Sequence, residues 1–120
     1  MSAQPIERPL TAEETQRRGH MAALAVAEHI VAVSPVVPTD VNISCSEFAI
    51  DRPTIEVHFY NSATAVQALA EVLGGTAATR PHRESDPRPY TEANVVVSGV
   101  PVKAWSLAAP EAAQDAAVAA

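Results

Sequence analysis

One thiol and four imidazoles, with a scatter of carboxylates, are the groups in this chain that could do chemistry. A nucleophilic cysteine needs an activated thiolate, held beside a histidine or a helix N-terminus. Cys45 instead alternates in phase with Val41 and Ile43, which turns it inward as a packing residue. The histidines are His20, His29, His58 and His82. No pair has the i, i+4 spacing of a helical zinc site, and neither HExxH nor CxxC occurs. The run His82-Arg83-Glu84-Ser85-Asp86 sets possible ligands at alternate positions, but its proline-rich setting reads as a solvated loop. Gly74-Gly75 follow a helical pattern instead of opening one, so no phosphate loop is present, and there is no GxSxG elbow. No carboxylate pair is set apart by an apolar setting that would divide acid from base. The spacing therefore implies no catalytic residue, no metal and no cofactor.

Two surface sets remain. The first is the outward face of a sheet: Glu56, His58 and Tyr60 from one strand, Asn94 and Val96 from a second, Lys103 and Trp105 from a third. It holds the chain's one tryptophan, and Trp and Tyr are enriched where binding energy concentrates. An open face of this kind pairs with a second copy or another protein. The second set is Arg80, His82, Arg83 and Arg88, cations that could touch phosphate, diluted by Glu84 and Asp86.

The elements that must position these residues centre on Thr54 to Gly75. Ile55, Val57 and Phe59 alternate with Glu56, His58 and Tyr60, the period of a half-buried strand. Asn61 and Ser62 are N-cap types, and Val66, Leu69, Ala70 and Leu73 then form one helical stripe ending at Gly74-Gly75. Upstream, residues 1–10 read as a flexible arm. Thr11 and Glu14 fit a capping box that opens a helix running to Val33. Gly19, Ala23, Val26, Ile30 and Val33 give its buried stripe, with Met21, Leu24 and Val31 widening it; Ser34-Pro35 ends it. Val41, Ile43 and Cys45 mark a strand that pairs antiparallel with the central one through a turn at Asp51-Arg52-Pro53, with room for a bulge at Glu47 to Ile50.

Downstream, Thr76 to Arg80 fits a short strand, and Pro81 to Pro89 reads as the solvated loop. Thr91 to Leu107 is a hairpin turning at Ser98-Gly99, which sets Val97 against Val100, Val95 against Val102 and Ala93 against Ala104. Pro101 lacks an N–H, so its strand belongs at a sheet edge, or Pro101 at the strand's beginning. Residues 108–120 form an alanine-rich tail with a helix start at Pro110-Glu111. The expected fold is a two-layer α+β domain over residues 11–107. One antiparallel sheet of four to five strands carries two helices on one face, in the order α-β-β-α-(β)-β-β. A meander with the last strand at the edge is expected. A circularly permuted ferredoxin-like order would place that strand centrally.

Aromatic residues make up 4% of the chain, so the core must be built from Ala, Val, Leu and Ile. A net charge of −6 argues against broad binding to nucleic acid, which rests on phosphate neutralisation by Lys and Arg. A single cysteine, no membrane-length apolar run and an acidic, polar start point to a soluble cytoplasmic protein.

Taken together, the capped alanine-rich helix, the run IEVHFYNSATAVQALAEVLGG and the closing YTEANVVVSGVPVKAW resemble small uncharacterised proteins of GC-rich actinobacteria and their phages or integrative elements. The resemblance covers Thr11 to Leu107 and supplies no site residue. The expected function is a non-catalytic binding module that self-associates or takes a protein partner on its outward sheet face. The alternatives are nucleic-acid association through the loop between Arg80 and Arg88, as an accessory of a mobile element, and a small ligand-binding protein or enzyme using His58 and Tyr60.

Overall fold

A computed structural model describes residues 9–45 and 52–110. The order is α1 (Ala12–Val33), β1 (Asp40–Ser44), β2 (Thr54–His58), α2 (Ala63–Val72), β3 (Ala78–Arg83), β4 (Asp86–Val97) and β5 (Val100–Leu107). The strands form one sheet in the order β1-β2-β5-β4-β3. Both helices pack on one face of it, giving the two-layer α+β architecture. Among the described residues no helix is long and apolar enough to cross a membrane. The bulge expected at Glu47 to Ile50 and most of the N-terminal arm and the tail lie outside the described residues, as does Asp51 of the expected turn.

Local chemistry sets the helix ends. Thr11 accepts from the Glu14 N–H and Glu14 reaches back to the Thr11 N–H, a complete capping box. Asn61 takes the left-handed conformation, which asparagine tolerates, and turns the chain from β2 into α2. Ser62 is the N-cap and accepts from the Ala65 N–H. Of the two glycines that follow α2, only Gly74 is left-handed. Gly75 serves close approach, since a Cβ there would collide with Val95 Cγ1.

The hairpin of β4 and β5 has the expected register, Val97 with Val100, Val95 with Val102 and Ala93 with Ala104. Ser98 and Gly99 both have positive φ, as a two-residue turn of this hand requires. The meander with an edge-placed last strand is not what forms. β5 is central, antiparallel to β4 and parallel to β2, so the sheet is mixed with one parallel pair. Without β3, this is the circularly permuted ferredoxin-like order. Pro101 fits because it stands at the start of β5. Val97 and Val100 close the turn, so Val96 and Pro101 form the next, non-hydrogen-bonded pair. The nitrogen of Pro101 therefore faces β2, whose pairing begins only at Val102.

The expected loop from Pro81 to Pro89 is also corrected. β3 runs to Arg83 and β4 begins at Asp86, a hairpin turning at Glu84-Ser85. Prolines are tolerated there because β3 is an edge strand and β4 has run past the end of β5. Pro81 pairs opposite Pro89, and the register shifts between Pro81 and Arg83.

The core lies between helices and sheet. Ala23, Val26, Ala27 and Ile30 of α1 and Ala65, Val66, Leu69 and Ala70 of α2 meet Ile55, Val57, Phe59, Val102 and Ala104. Met21, Leu24 and Val31 do not widen the buried stripe of α1: they are 63%, 59% and 46% exposed. They lie on a flank of the helix, turned away from Ala23 and Ile30, where the sheet ends at β1.

Candidate functional site

The side of the sheet away from the helices carries a connected group of aromatic and charged side chains. Period two along β4 places Arg88, Tyr90, Glu92, Asn94 and Val96 on it; the registers add Lys103 and Trp105 of β5, Glu56 and His58 of β2, and Arg80 of β3. His58 and Trp105 stand opposite each other on the parallel pair and stack with ring centroids 4.2 Å apart. Tyr90 lies 6.0 Å from Trp105, and His82 stacks on its other side at 5.3 Å. The Arg80 guanidinium covers the Tyr90 ring at 5.0 Å, within cation–π range. Tyr90 is buried on the face that neither α1 nor α2 covers.

Hydrogen bonds fix the group. Tyr90 donates to Glu92 Oε2 at 2.6 Å, and Asn94 donates to Glu92 Oε1 at 2.7 Å. Lys103 and Arg80 flank the same carboxylate at 3.8 and 4.0 Å. Arg88 clamps Asp86 with two bonds of 2.7 Å, a bidentate pair, and His82 Nδ1 lies 3.2 Å from Asp86 Oδ2. Across the face, His58 Nδ1 is 4.0 Å from Asp40.

These contacts move the acid–base equilibria away from neutrality. The hydrogen bond from Arg88, then that from His82, holds the Asp86 carboxyl far below the usual carboxylate range. The Tyr90 and Asn94 hydrogen bonds lower Glu92. Burial, then the bond to Glu92, pushes the Tyr90 phenol up, so it stays protonated at neutral pH. Its bond to Asp86 raises Arg88, and contact with Tyr90 raises Lys103. A general acid or base works best with a pKa near the operating pH. Asp86, Glu92, Tyr90, Arg88 and Lys103 are instead fixed in their ordinary charge states, which suits holding a surface in one shape.

Depressed carboxylates make a pH prediction. A group whose folded pKa lies below its unfolded value adds stability that is present above the unfolded value and lost as pH falls through the folded one. Thermal melts should therefore hold steady down to about pH 5 and fall progressively below it. Asp86→Asn should start lower at neutral pH and show a shallower acid slope. An unchanged slope in that variant would place the acid sensitivity elsewhere.

Of the residues expected on the outward face, the fold brings Glu56, His58, Lys103 and Trp105 together. Val96 stands at the hairpin end of the same face, 69% exposed. Tyr60 lies past the end of β2, in the turn before α2, exposed and outside the stack. Arg80, His82 and Arg88, read from the sequence as a separate set, belong to the same surface. Arg83 stands at the tip of the β3–β4 hairpin and makes no ion pair among the described residues. Tyr90, Glu92 and Asp86 were not foreseen. Their signal was the period two of Asn94 and Val96 continued backwards past Thr91. Cys45 is half-buried just after β1. Among the described residues no three His, Cys, Asp or Glu side chains gather where a metal ion could be held.

No protein-family model matches the chain, and no curated protein matches it either.

Proposed function

We propose that this protein is a non-catalytic interaction module that takes a folded protein partner on its open sheet face. One observation carries the reading: Trp105 stacks between His58 and Tyr90, and Tyr90 and Lys103 both engage Glu92, on a face that neither α1 nor α2 covers. Side chains already fixed before contact lose little entropy on binding. Trp, Tyr and Arg are also the residue types in which interface energy concentrates.

Charge favours a protein over a polyanion. Arg88 is paired with Asp86, and Arg80 and Lys103 share Glu92, while Glu56 and Asp40 add further negative charge. Affinity for nucleic acid comes from cations that release counterions from phosphate. Here a phosphate would have to displace carboxylates already bonded at 2.7 Å.

The test is a bait comparison. Immobilised wild type, Trp105→Ala and the opposite-face control Glu71→Arg are exposed to the same cell extract, with and without nuclease. The expected result is a protein retained by wild type and by Glu71→Arg, insensitive to nuclease, and depleted about tenfold or more by Trp105→Ala. Equal retention by all three baits, or retention abolished by nuclease, defeats the proposal.

A further inference from the structure

α1 is longer than the surface it packs on. Its buried residues are Ala23, Val26, Ala27 and Ile30, all in the C-terminal half. From Ala12 to Ala22, about three turns of helix, no residue is buried. A helical segment that short is marginal in water on its own.

Along one flank of α1 run Arg17, Met21, Leu24, Glu28 and Val31, all exposed. Their spacing alternates four and three, the seam of a helix that packs against another helix. The seam's C-terminal half borders an apolar groove completed by Val41 and Ile43 of the edge strand β1.

The charges on the seam identify what covers it. Two antiparallel copies of α1 related by a twofold axis between Ala22 and Ala23 bring Met21 against Leu24 of the second copy, and Leu24 against its Met21. The same operation sets Arg17 against Glu28 of the second copy at both ends. A twofold interface must be self-complementary in this way, and a charge pair flanking an apolar centre meets that condition. An axis at Glu28 would bring two carboxylates together and is disfavoured. The competing contact of Arg17 is an exposed ion pair to Glu13 at 3.4 Å, which offers little resistance.

We infer that this chain forms a twofold homodimer through an antiparallel α1–α1 seam. Each copy's N-terminal half, which holds no buried residue, then lies on the packed C-terminal half of the other. The seam is separate from the open sheet face, so the dimer presents that face twice, and two weak contacts to a multivalent partner reinforce each other.

Light scattering with charge reversals tests this. Wild type at tens of micromolar should show twice the chain mass. Arg17→Glu and Glu28→Arg each place like charges at both ends of the seam, and each should weaken dimerisation about tenfold or more. Both positions are exposed, so circular dichroism should show the fold retained. Mixing the two variants restores an opposite-charge pair at both ends, and the heterodimer mass should return. Trp105→Ala should remain a dimer. A monomeric wild type, a dimer that survives both reversals, or a dimer lost only with Trp105→Ala overturns the inference. The last outcome moves self-association to the sheet face, and the bait comparison still decides the proposed function by itself.

Discussion

Phe59→Ala should be the most damaging single substitution in the core, costing about 3–5 kcal/mol. Phe59 is the largest of the fully buried side chains, at 1% exposure. It continues the inward phase of Ile55 and Val57, and its N–H donates to the Trp105 carbonyl at 3.0 Å, tying the end of β2 to β5. What surrounds it makes the loss severe. The core is mostly Ala and Val with a few Ile and Leu. Alanine has no side chain to move into a cavity, and valine is confined to few rotamers. The hole therefore stays open, and its cost adds to the lost burial. Small domains hold about 5–15 kcal/mol in all, so this one change should remove a large share. Urea unfolding checks it: the midpoint should fall sharply with the slope unchanged, and Phe59→Leu should recover much of the difference. A loss below about 1 kcal/mol would mean that the core closes around the missing ring.

The parts of the fold that were legible in the sequence are those decided by neighbours along the chain. The capping box at Thr11, the end of α1 at Val33 and the register around Ser98-Gly99 depend on residues a few positions apart. The position of β5 does not. Whether a strand bearing Pro101 is central depends on where the neighbouring strand begins to pair, a long-range fact that local pattern does not carry. The prolines between Arg80 and Tyr90 misled for a related reason. Proline marks a loop only where both edges of a strand need donors, and these residues lie where pairing is one-sided. Met21, Leu24 and Val31 show the limit of helical periodicity, which finds an apolar flank without saying whether this chain or another covers it.

The candidate site divides along the same line. Glu56, His58, Lys103 and Trp105 followed from alternation within recognised strands. Reading Arg80, His82 and Arg88 as a loop hid that they share a surface with Trp105. It hid Tyr90 as well, the ring that links the two sets. The merger changes the chemistry expected of the arginines. Cations on a solvated loop would be available to phosphate, whereas cations bonded to Asp86 and Glu92 beside a buried phenol help to fix a surface.

Gly75→Ala should destabilise the protein by about 1–3 kcal/mol through overpacking, although alanine is the better residue by conformational entropy. The sequence offers two adjacent glycines after α2, and they do different work. Gly74 has φ of +79° and open space where a Cβ would go, so its constraint is conformational. Gly75 has no such φ, and its N–H donates to the Ala70 carbonyl at 2.8 Å. Its constraint is Val95 of β4, whose Cγ1 fills the space a Cβ would need. Valine is stiff about χ1, and Val95 is packed against the core, so it cannot turn aside cheaply. A double-mutant cycle isolates this contact. Val95→Ala alone should cost stability by removing buried methyl groups. In that background Gly75→Ala should be close to neutral or mildly stabilising, because only the entropic benefit of alanine remains. The coupling between the two sites should then exceed about 1 kcal/mol, well above the additivity of distant positions. Equal costs of Gly75→Ala in both backgrounds would show that something other than Val95 requires the glycine. With the coupling present, the close approach of β4 to the end of α2 is fixed by this pair, and α2 cannot shift along the sheet without breaking it.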